Sequence, residues 1–411
     1  MASKSKQKAR IAFLHPDLGI GGAERLVVDA ALALKNAGNS VTIFTSHHDP
    51  NHCFIETKNG QLDVITSGDG IPRSCLGRFR AFWAYLRMFW LTIFFIWRHK
   101  DEYDVVVSDL ISAPLFLLKM SGQKCVFYCH HPDQLLTKRE SLLKKVYRFF
   151  IDFLEEFGLR YADVILVNSK YTKSVFHNTF KTMNVNTRVL YPSVNFSAFD
   201  KKITGNLDIK LDNVETLFLS INRYERKKNL NLAIESLKEL YDANNLNDAK
   251  SRKKIHLILV GGFDPLNVEN LEHYQELTAL ARQLDIEENV TFLRSPSDEQ
   301  KQHLLHSCTA VIYTPENEHF GIVPLEAMYM RRPVIAANSG GPMETVIDGE
   351  TGFLCESNVV AFSQAMNKFV RDKSLSREMG IRGHERVTKK FNFQTFQSEL
   401  SDVISGLLAS E

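Results

Sequence analysis

Two successive series of short apolar runs constrain this chain more than any other feature of its sequence. In the first, residues 11–14 (IAFL) lead into HPDLGIGGAER, then into a segment from 26 to 36 with apolar residues at helical spacing, then into a further run at 41–45. Comparable runs recur at 105–108, 124–128 and 164–167, separated by stretches long enough to hold helices. After a polar segment at 200–213 (DKKITGNLDIKLDN), a second series occupies 216–221, 255–260, 290–293, 310–313 and 333–336. Apolar runs alternating with helix-length connections are the pattern of parallel strands joined by crossover helices and buried on both faces. The expected fold is α/β, two doubly wound Rossmann-like domains in tandem. Residues 1–199 are expected to form the first domain, 200–213 the linker and 214–392 the second, with 393–411 a helix packing back on the first.

Composition supports two cores and excludes several functions. The 411 residues are 44% hydrophobic and 24% charged, unlike a disordered chain. Lys and Arg number 50 against 48 Asp and Glu, a net charge of +2, so there is no basic surplus for nucleic acid and any anion must be held by local groups. The cysteines, Cys53, Cys75, Cys125, Cys129, Cys308 and Cys355, are too scattered for a disulfide framework and include no CxxC pair for zinc. Residues 1–10 are basic, but the apolar run at 11–14 is too short for a secretory signal and Asp17 follows, so a cytosolic location is expected.

Doubly wound domains bind ligands beyond the carboxyl ends of their strands, so the loops there hold the candidate site residues. Gly19, Gly21 and Gly22 lie in such a loop, where backbone N–H groups and a helix N-terminus can approach an anion. A dinucleotide fingerprint would need glycine where Glu24 stands, and that carboxylate would repel a pyrophosphate, which disfavours NAD. A plainer alternative is a loop that only needs positive φ. After the run ending at Ile221, Arg223 and Lys228 could clamp a diphosphate, one as a bidentate fork and one as a compact charge, or could simply be a solvated surface. Glu318 and Glu326 flank Gly321 and Pro324. With Pro324 at the first helical position, Glu326 is expected in the first turn and Glu318 on the preceding loop, both near one helix N-terminus that could hold sugar hydroxyls. The alternative is an ordinary acidic preference at a helix start, worth about 0.3–1 kcal/mol. A further glycine turn at 340–344 (GGPME) weakens that alternative.

GGAER at 21–25, RYERKKN at 223–229, EHFGIVPLE at 318–326 and GGPMETV at 340–346, in that order, resemble the retaining glycosyltransferases of the GT-B fold across almost the whole chain. Within that family, CHHPDQLLTKR at 129–139 and TPENEHFGIVPLEAM at 314–328 are most similar to mannosyltransferases of dolichol-linked oligosaccharide assembly. The resemblance implies two Rossmann-like domains facing a cleft, a GDP-mannose donor and a dolichyl-diphosphate-linked mannosyl-chitobiose acceptor. It also implies α-1,3 and α-1,6 linkages, and a place on the cytosolic face of the endoplasmic reticulum membrane beside other glycosyltransferases of the pathway. Arg223 and Lys228 match the diphosphate-binding pair, Glu326 the ribose-holding position and Glu318 the residue at the transferred sugar. Phe320, Gly321 and Ile322 belong to the same substrate-binding motif. His130 matches the first-domain histidine that faces the sugar, with His131 the neighbouring alternative, and Gly21 and Gly22 match the loop meeting diphosphate or acceptor. No Asp-x-Asp motif follows a strand, so no metal or other cofactor is expected. Arg223, Lys228 and backbone N–H groups would carry the charge of the leaving diphosphate.

Residues 71–100 contain neither Asp nor Glu but include Arg73, Arg78, Arg80, Arg87, Arg98 and Lys100, and all three tryptophans, Trp83, Trp90 and Trp97. A spacing of seven places the tryptophans on nearly one helical face, joined by Phe79, Phe82, Phe89, Ile93 and Phe94. The uncharged run at 88–97 would extend about 15 Å against the ~30 Å of a hydrocarbon core. It therefore reads as a basic amphipathic helix lying in the headgroup layer, with Trp83, Trp90, Phe94 and Trp97 as its membrane contacts; a buried domain helix is the alternative. Residues 142–157 form a second amphipathic segment. Besides the mannosyltransferase, two readings remain: a catalytically silent membrane-bound partner in a glycosylation complex, and a nucleotide-sugar enzyme with a soluble acceptor.

Overall fold

The computed structural model describes residues 8–73, 79–137, 139, 141–183, 185, 187–194, 196, 199–200, 209, 211–246, 248–252 and 254–410. The chain forms two compact units, Met1–Ser193 together with Phe393–Glu411, and Val194–Asn392. The division falls at Ser193, short of the expected 199, because the next residues pack within the second unit. There Phe196 stacks on Tyr329 with ring centroids 4.1 Å apart, and Gln302 donates to the Phe199 carbonyl at 2.8 Å. Most of the expected linker, residues 201–208 and 210, lies outside the described residues.

The first unit runs β1 (Arg10–His15), α1 (Gly22–Asn36), β2 (Ser40–Thr45), β3 (Asp63–Thr66), α2 (Arg80–His99), β4 (Val105–Asp109), α3 (Leu115–Met120), β5 (Lys124–Cys129), α4 (Leu142–Leu159), β6 (Val164–Val167), α5 (Lys170–Thr179) and β7 (Thr187–Val189). Its seven strands form one parallel sheet in the order β3-β2-β1-β4-β5-β6-β7. Side chains alternate across the sheet as a strand period of two requires. Ile11 and Phe13 pack with α1 through Leu26, Val27, Ala30 and Leu34, whereas Ala12 and Leu14 pack with α2 through Met88, Leu91 and Phe95.

The second unit contains β8 (Thr216–Ile221), α6 (Leu230–Ala243), α7 (Ala249–Arg252), β9 (Ile255–Gly261), α8 (Val268–Gln283), β10 (Val290–Arg294), α9 (Asp298–Ser307), β11 (Ala310–Tyr313), α10 (Ile322–Tyr329), β12 (Val334–Ala337), α11 (Pro342–Thr345), β13 (Gly352–Cys355), α12 (Val359–Arg371) and α13 (Lys373–Lys390). Its parallel sheet has the order β10-β9-β8-β11-β12-β13. The last helix, α14 (Phe393–Ala409), belongs to the first unit. It buries Phe396, Leu400, Val403, Ile404 and Leu407 beside α1, and Lys124 caps its end by donating to the Leu407 carbonyl at 2.9 Å. In each sheet the strand order reverses once, between β1 and β4 and between β8 and β11, and a doubly wound sheet opens its crevice beyond those strand ends.

The tryptophan helix differs in part from its expected face. One side of α2 is core, with Tyr85, Met88, Leu91 and Phe95 buried. The exposed stripe is Phe79, Phe82, Leu86, Trp90, Ile93 and Trp97, the last 74% exposed. Trp83 is half-buried. Phe94 falls one position toward the sheet and packs half-buried on the core, and Phe89 packs on Phe116. The basic set also divides: Arg87 is buried 3.6 Å from Asp17, which Arg73 also meets at 3.2 Å, and Arg78 lies outside the described residues. On α4, Leu142, Leu143, Val146, Phe149, Phe150 and Phe153 form a second exposed apolar stripe. Among the described residues no helix is long and apolar enough to cross a membrane.

Candidate active site

In the second unit the site residues come from the ends of β8 and β11, neighbours in the sheet. Gly261 allows the β8 end to pass close by, since a Cβ there would collide with the Asn222 carbonyl. Arg223 is exposed and pairs with Glu225 at 2.8 Å, as Lys227 does at 3.1 Å. Lys228 sits on the turn that follows, its ammonium paired with Glu318 and its carbonyl accepting from Thr314 Oγ1 at 2.7 Å. The turn thus brings Lys228 to Glu318, whereas Arg223 reaches a different carboxylate.

The Glu318 loop is held from three sides. Its carbonyl accepts from Gly341 N–H at 2.7 Å. Gly340, at φ 67°, and Gly341 press against the backbone of Glu318 and Phe320 so closely that a Cβ at either position would collide with it. The buried Tyr313 phenol meets the Glu318 carboxylate; burial, and then that carboxylate, push its pKa well above the ordinary value. Gly321, at φ 78°, turns the chain into α10, with Phe320 buried behind it and Ile322 exposed. The helix therefore starts at Ile322, two residues before Pro324, and Glu326 stands on its second turn, a correction to the expected first. Glu326 is matched by a cation that sequence reasoning missed: Lys301 of α9 lies 2.7 Å from its Oε1. Each carboxylate of the Glu-x7-Glu pair is thus neutralised by one lysine.

In the first unit, Gly21 caps α1 in extended conformation and Gly22 opens the helix. The Glu24 carboxylate folds back over Gly21, occupying space that a Cβ there would need. It lies 4.0 Å from His15 Nε2. At the ends of β1 and β4, His15 Nδ1 meets Asp109 Oδ1 at 2.7 Å, and Asp109 Oδ2 meets His130 Nε2 at 3.0 Å. His131 turns its Nδ1 to the Pro132 carbonyl at 2.7 Å. Neither His15 nor Asp109 carries a motif signal, and their partnership appears only once β1 and β4 are adjacent. The turn after His131 is tied down by Glu155 of α4, whose two oxygens accept from Asp133 and Gln134 N–H at 2.6 and 3.0 Å. Arg148 and Tyr85 reach Asp133 Oδ2 at 3.1 and 3.2 Å.

Residues 208–386 match the family model described as glycosyl transferases group 1, and residues 20–198 the one described as glycosyltransferase family 4. Alpha-1,3/1,6-mannosyltransferase ALG2 of Homo sapiens is 51% identical over 98% of this chain and 97% of its own length. The chain belongs to this family of mannosyltransferases. The Dictyostelium discoideum relative of the same name is 46% identical over 98% of this chain and all of its own length, and that of Saccharomyces cerevisiae 39% over 97% and 86%. These relatives do not favour a silent partner or a soluble-acceptor enzyme. The fold is GT-B: a sucrose-phosphate synthase from Thermosynechococcus elongatus superposes with a TM-score of 0.75 at 21% identity, covering 98% of this chain and 100% of that one. The Anabaena protein HepE in complex with UDP follows at 0.70 and 19%, covering 97% and 100%.

Proposed function

We propose that the chain transfers mannose from GDP-mannose to a dolichyl-diphosphate-linked mannosyl-chitobiose, with retention, forming α-1,3 and α-1,6 linkages at the cytosolic face of the endoplasmic reticulum membrane. The observation that supports this best is the pairing of Lys228 with Glu318 beyond the ends of β8 and β11. A diphosphate arriving there takes the Lys228 ammonium from Glu318 and the Arg223 guanidinium from Glu225. Lys228 and Glu318 are only 12% and 28% exposed, so the exchange requires the diphosphate and the incoming sugar to replace the partners that each gives up. Released from Lys228, Glu318 accepts hydrogen bonds from the transferred sugar while Glu326, steadied by Lys301, holds the ribose. Negative charge gathering on the departing GDP falls on Arg223 and Lys228, which stabilise it without a metal ion. The diphosphate itself takes the proton of the acceptor hydroxyl.

The lipid-linked acceptor suits the first unit. The exposed stripes of α2 and α4 carry aromatic and leucine side chains, with Arg80, Arg98, Lys144 and Lys145 exposed beside them. Such surfaces lie in the headgroup layer, rings at the interface and cations on anionic lipid. Transfer of label from GDP-[14C]mannose to the synthetic lipid-linked acceptor, with Glu318→Ala as control, tests the reading. Product from the unaltered protein and about a hundredfold less, or lower still, from the variant is expected; equal product from both would overturn the role of Glu318.

A further inference from the structure

At the carboxyl ends of β1 and β4 and just past that of β5, the first unit holds three ionisable side chains in one hydrogen-bonded row. His15 is fully buried; its Nδ1 meets Asp109 Oδ1 at 2.7 Å and its Nε2 stands 3.1 Å from the Asp17 carbonyl oxygen. A carboxylate and a carbonyl oxygen only accept, so the two contacts fit a His15 ring with hydrogen on both nitrogens, an imidazolium. Asp109, itself 2% exposed, offers its second oxygen to His130 Nε2 at 3.0 Å. The same rule puts hydrogen on His130 Nε2 and turns Nδ1 away from the carboxylate. Asn168 Nδ2 donates to the His130 carbonyl at 3.3 Å, and the Tyr128 ring lies 4.8 Å from the His130 ring, so backbone and ring are both held.

A buried carboxylate needs a counter-charge and full hydrogen bonding to stay ionised. His15 supplies the charge. Burial opposes the charged form of each, but their mutual attraction outweighs it, with Glu24 adding to His15 and His130 to Asp109. The His15 imidazole is raised above its ordinary value and the Asp109 carboxyl held below its own. With Asp109 neutralised by His15, its action on His130 is directional, a fixed acceptor for one nitrogen.

We infer that Asp109, bridging His15 to His130, is a positioning residue of the transfer reaction, fixing the tautomer and ring angle of His130, with His15 keeping Asp109 in place. This rests on the reading of His130 as the residue that meets the transferred sugar. The histidine ring then arrives at the sugar already oriented, with Nδ1 presented to a hydroxyl.

The test compares Asp109→Asn, His130→Ala and the double variant of the full chain, measuring kcat and the KM for GDP-mannose. Asp109→Asn is expected to lower kcat about tenfold to a hundredfold, the worth of a hydrogen bond to a charged group, and to leave the donor KM within about twofold. In the His130→Ala background it is expected to add nothing. Independent, multiplying losses would overturn the inference and leave the role of His130 intact; a fully active His130→Ala protein would overturn both. Should Asp109→Asn fail to fold, the unaltered protein with 15N-labelled histidine gives the answer by NMR. His130 protonated at Nε2 and His15 at both nitrogens are expected, and a His130 ring protonated at Nδ1 alone would contradict the inference.

Discussion

Asp109 in the first unit and Glu318 in the second stand at and just beyond the ends of corresponding strands of two similar sheets, and their carboxylates are partnered in opposite ways. Asp109 is sealed between His15 and His130, its geometry complete before any ligand arrives. Glu318 is 28% exposed and shares Lys228, the cation that the proposed mechanism hands to a diphosphate. A buried network holds one arrangement because opening it leaves a charge without a partner; a pair with a partly exposed carboxylate can change partners when a ligand supplies the replacement charge. In the proposed mechanism the first unit positions, and the second binds and releases.

The contrast breaks most completely if α14 is removed. Its five buried apolar side chains are worth about 1.5–3 kcal/mol each, together on the order of the whole 5–15 kcal/mol stability of a domain. Ending the chain after Asn392 is expected to unfold the first unit while GDP binding by the second persists; near-UV circular dichroism showing both units intact would contradict this. Next in size, Glu318→Ala is expected to reduce kcat about a hundredfold or more, with a modest fall in melting temperature because Lys228 and the Tyr313 phenol lose a partner while the loop stays held by backbone.

A smaller effect concerns Glu155, whose carboxyl is pushed up to about 8 by burial and then by Asp133, against the two backbone N–H groups that favour its charge. A carboxyl raised from 4.5 binds its proton more tightly when folded, so its contribution is fullest at low pH and is lost as pH rises through about 8. Relative to Glu155→Gln, the unaltered protein is expected to lose stability in urea melts between about pH 5 and pH 8; parallel profiles would refute it. Charged substitutions of Trp97 and Phe149 are expected to weaken binding to anionic vesicles about tenfold while GDP affinity stays unchanged, since both side chains are more than half exposed. Unaltered vesicle flotation would argue against the two stripes as a lipid surface. Smallest of all, EDTA is expected to leave transfer unaffected, and a strict need for manganese or magnesium would contradict the role given to Arg223 and Lys228.

The central strands were legible because each is a run of four to seven residues buried on both faces, as in Thr216–Ile221. Of the four sheet edges, Val290–Arg294 was legible and three were not: Asp63–Thr66 is half-exposed, Thr187–Val189 is three residues long and Gly352–Cys355 begins with glycine, so none of these shows a run of four apolar residues. Glu318, Glu326 and the glycines at 340 and 341 were readable as motifs, and the structure explains the glycines by the backbone they touch. Lys301, 25 residues from Glu326, was not readable, nor were His15 and Asp109; Tyr313, five residues before Glu318, was legible only as part of a strand. His15 and Asp109 are 94 residues apart and meet only through the reversal of strand order between β1 and β4. Helical spacing identified the tryptophan stripe but not its edge, where Phe94 turns into the core.

The exchange of Lys228 between Glu318 and a diphosphate is tested most directly by titrating GDP into Lys228→Met and Glu318→Gln proteins by calorimetry. Losing the cation is expected to weaken GDP binding about tenfold to a hundredfold. Losing the carboxylate leaves Lys228 available and is expected to tighten binding slightly, by about fivefold at most, even as transfer fails. Opposite signs for the two variants support the exchange; GDP affinity weakened equally by both, or changed by neither, would contradict it.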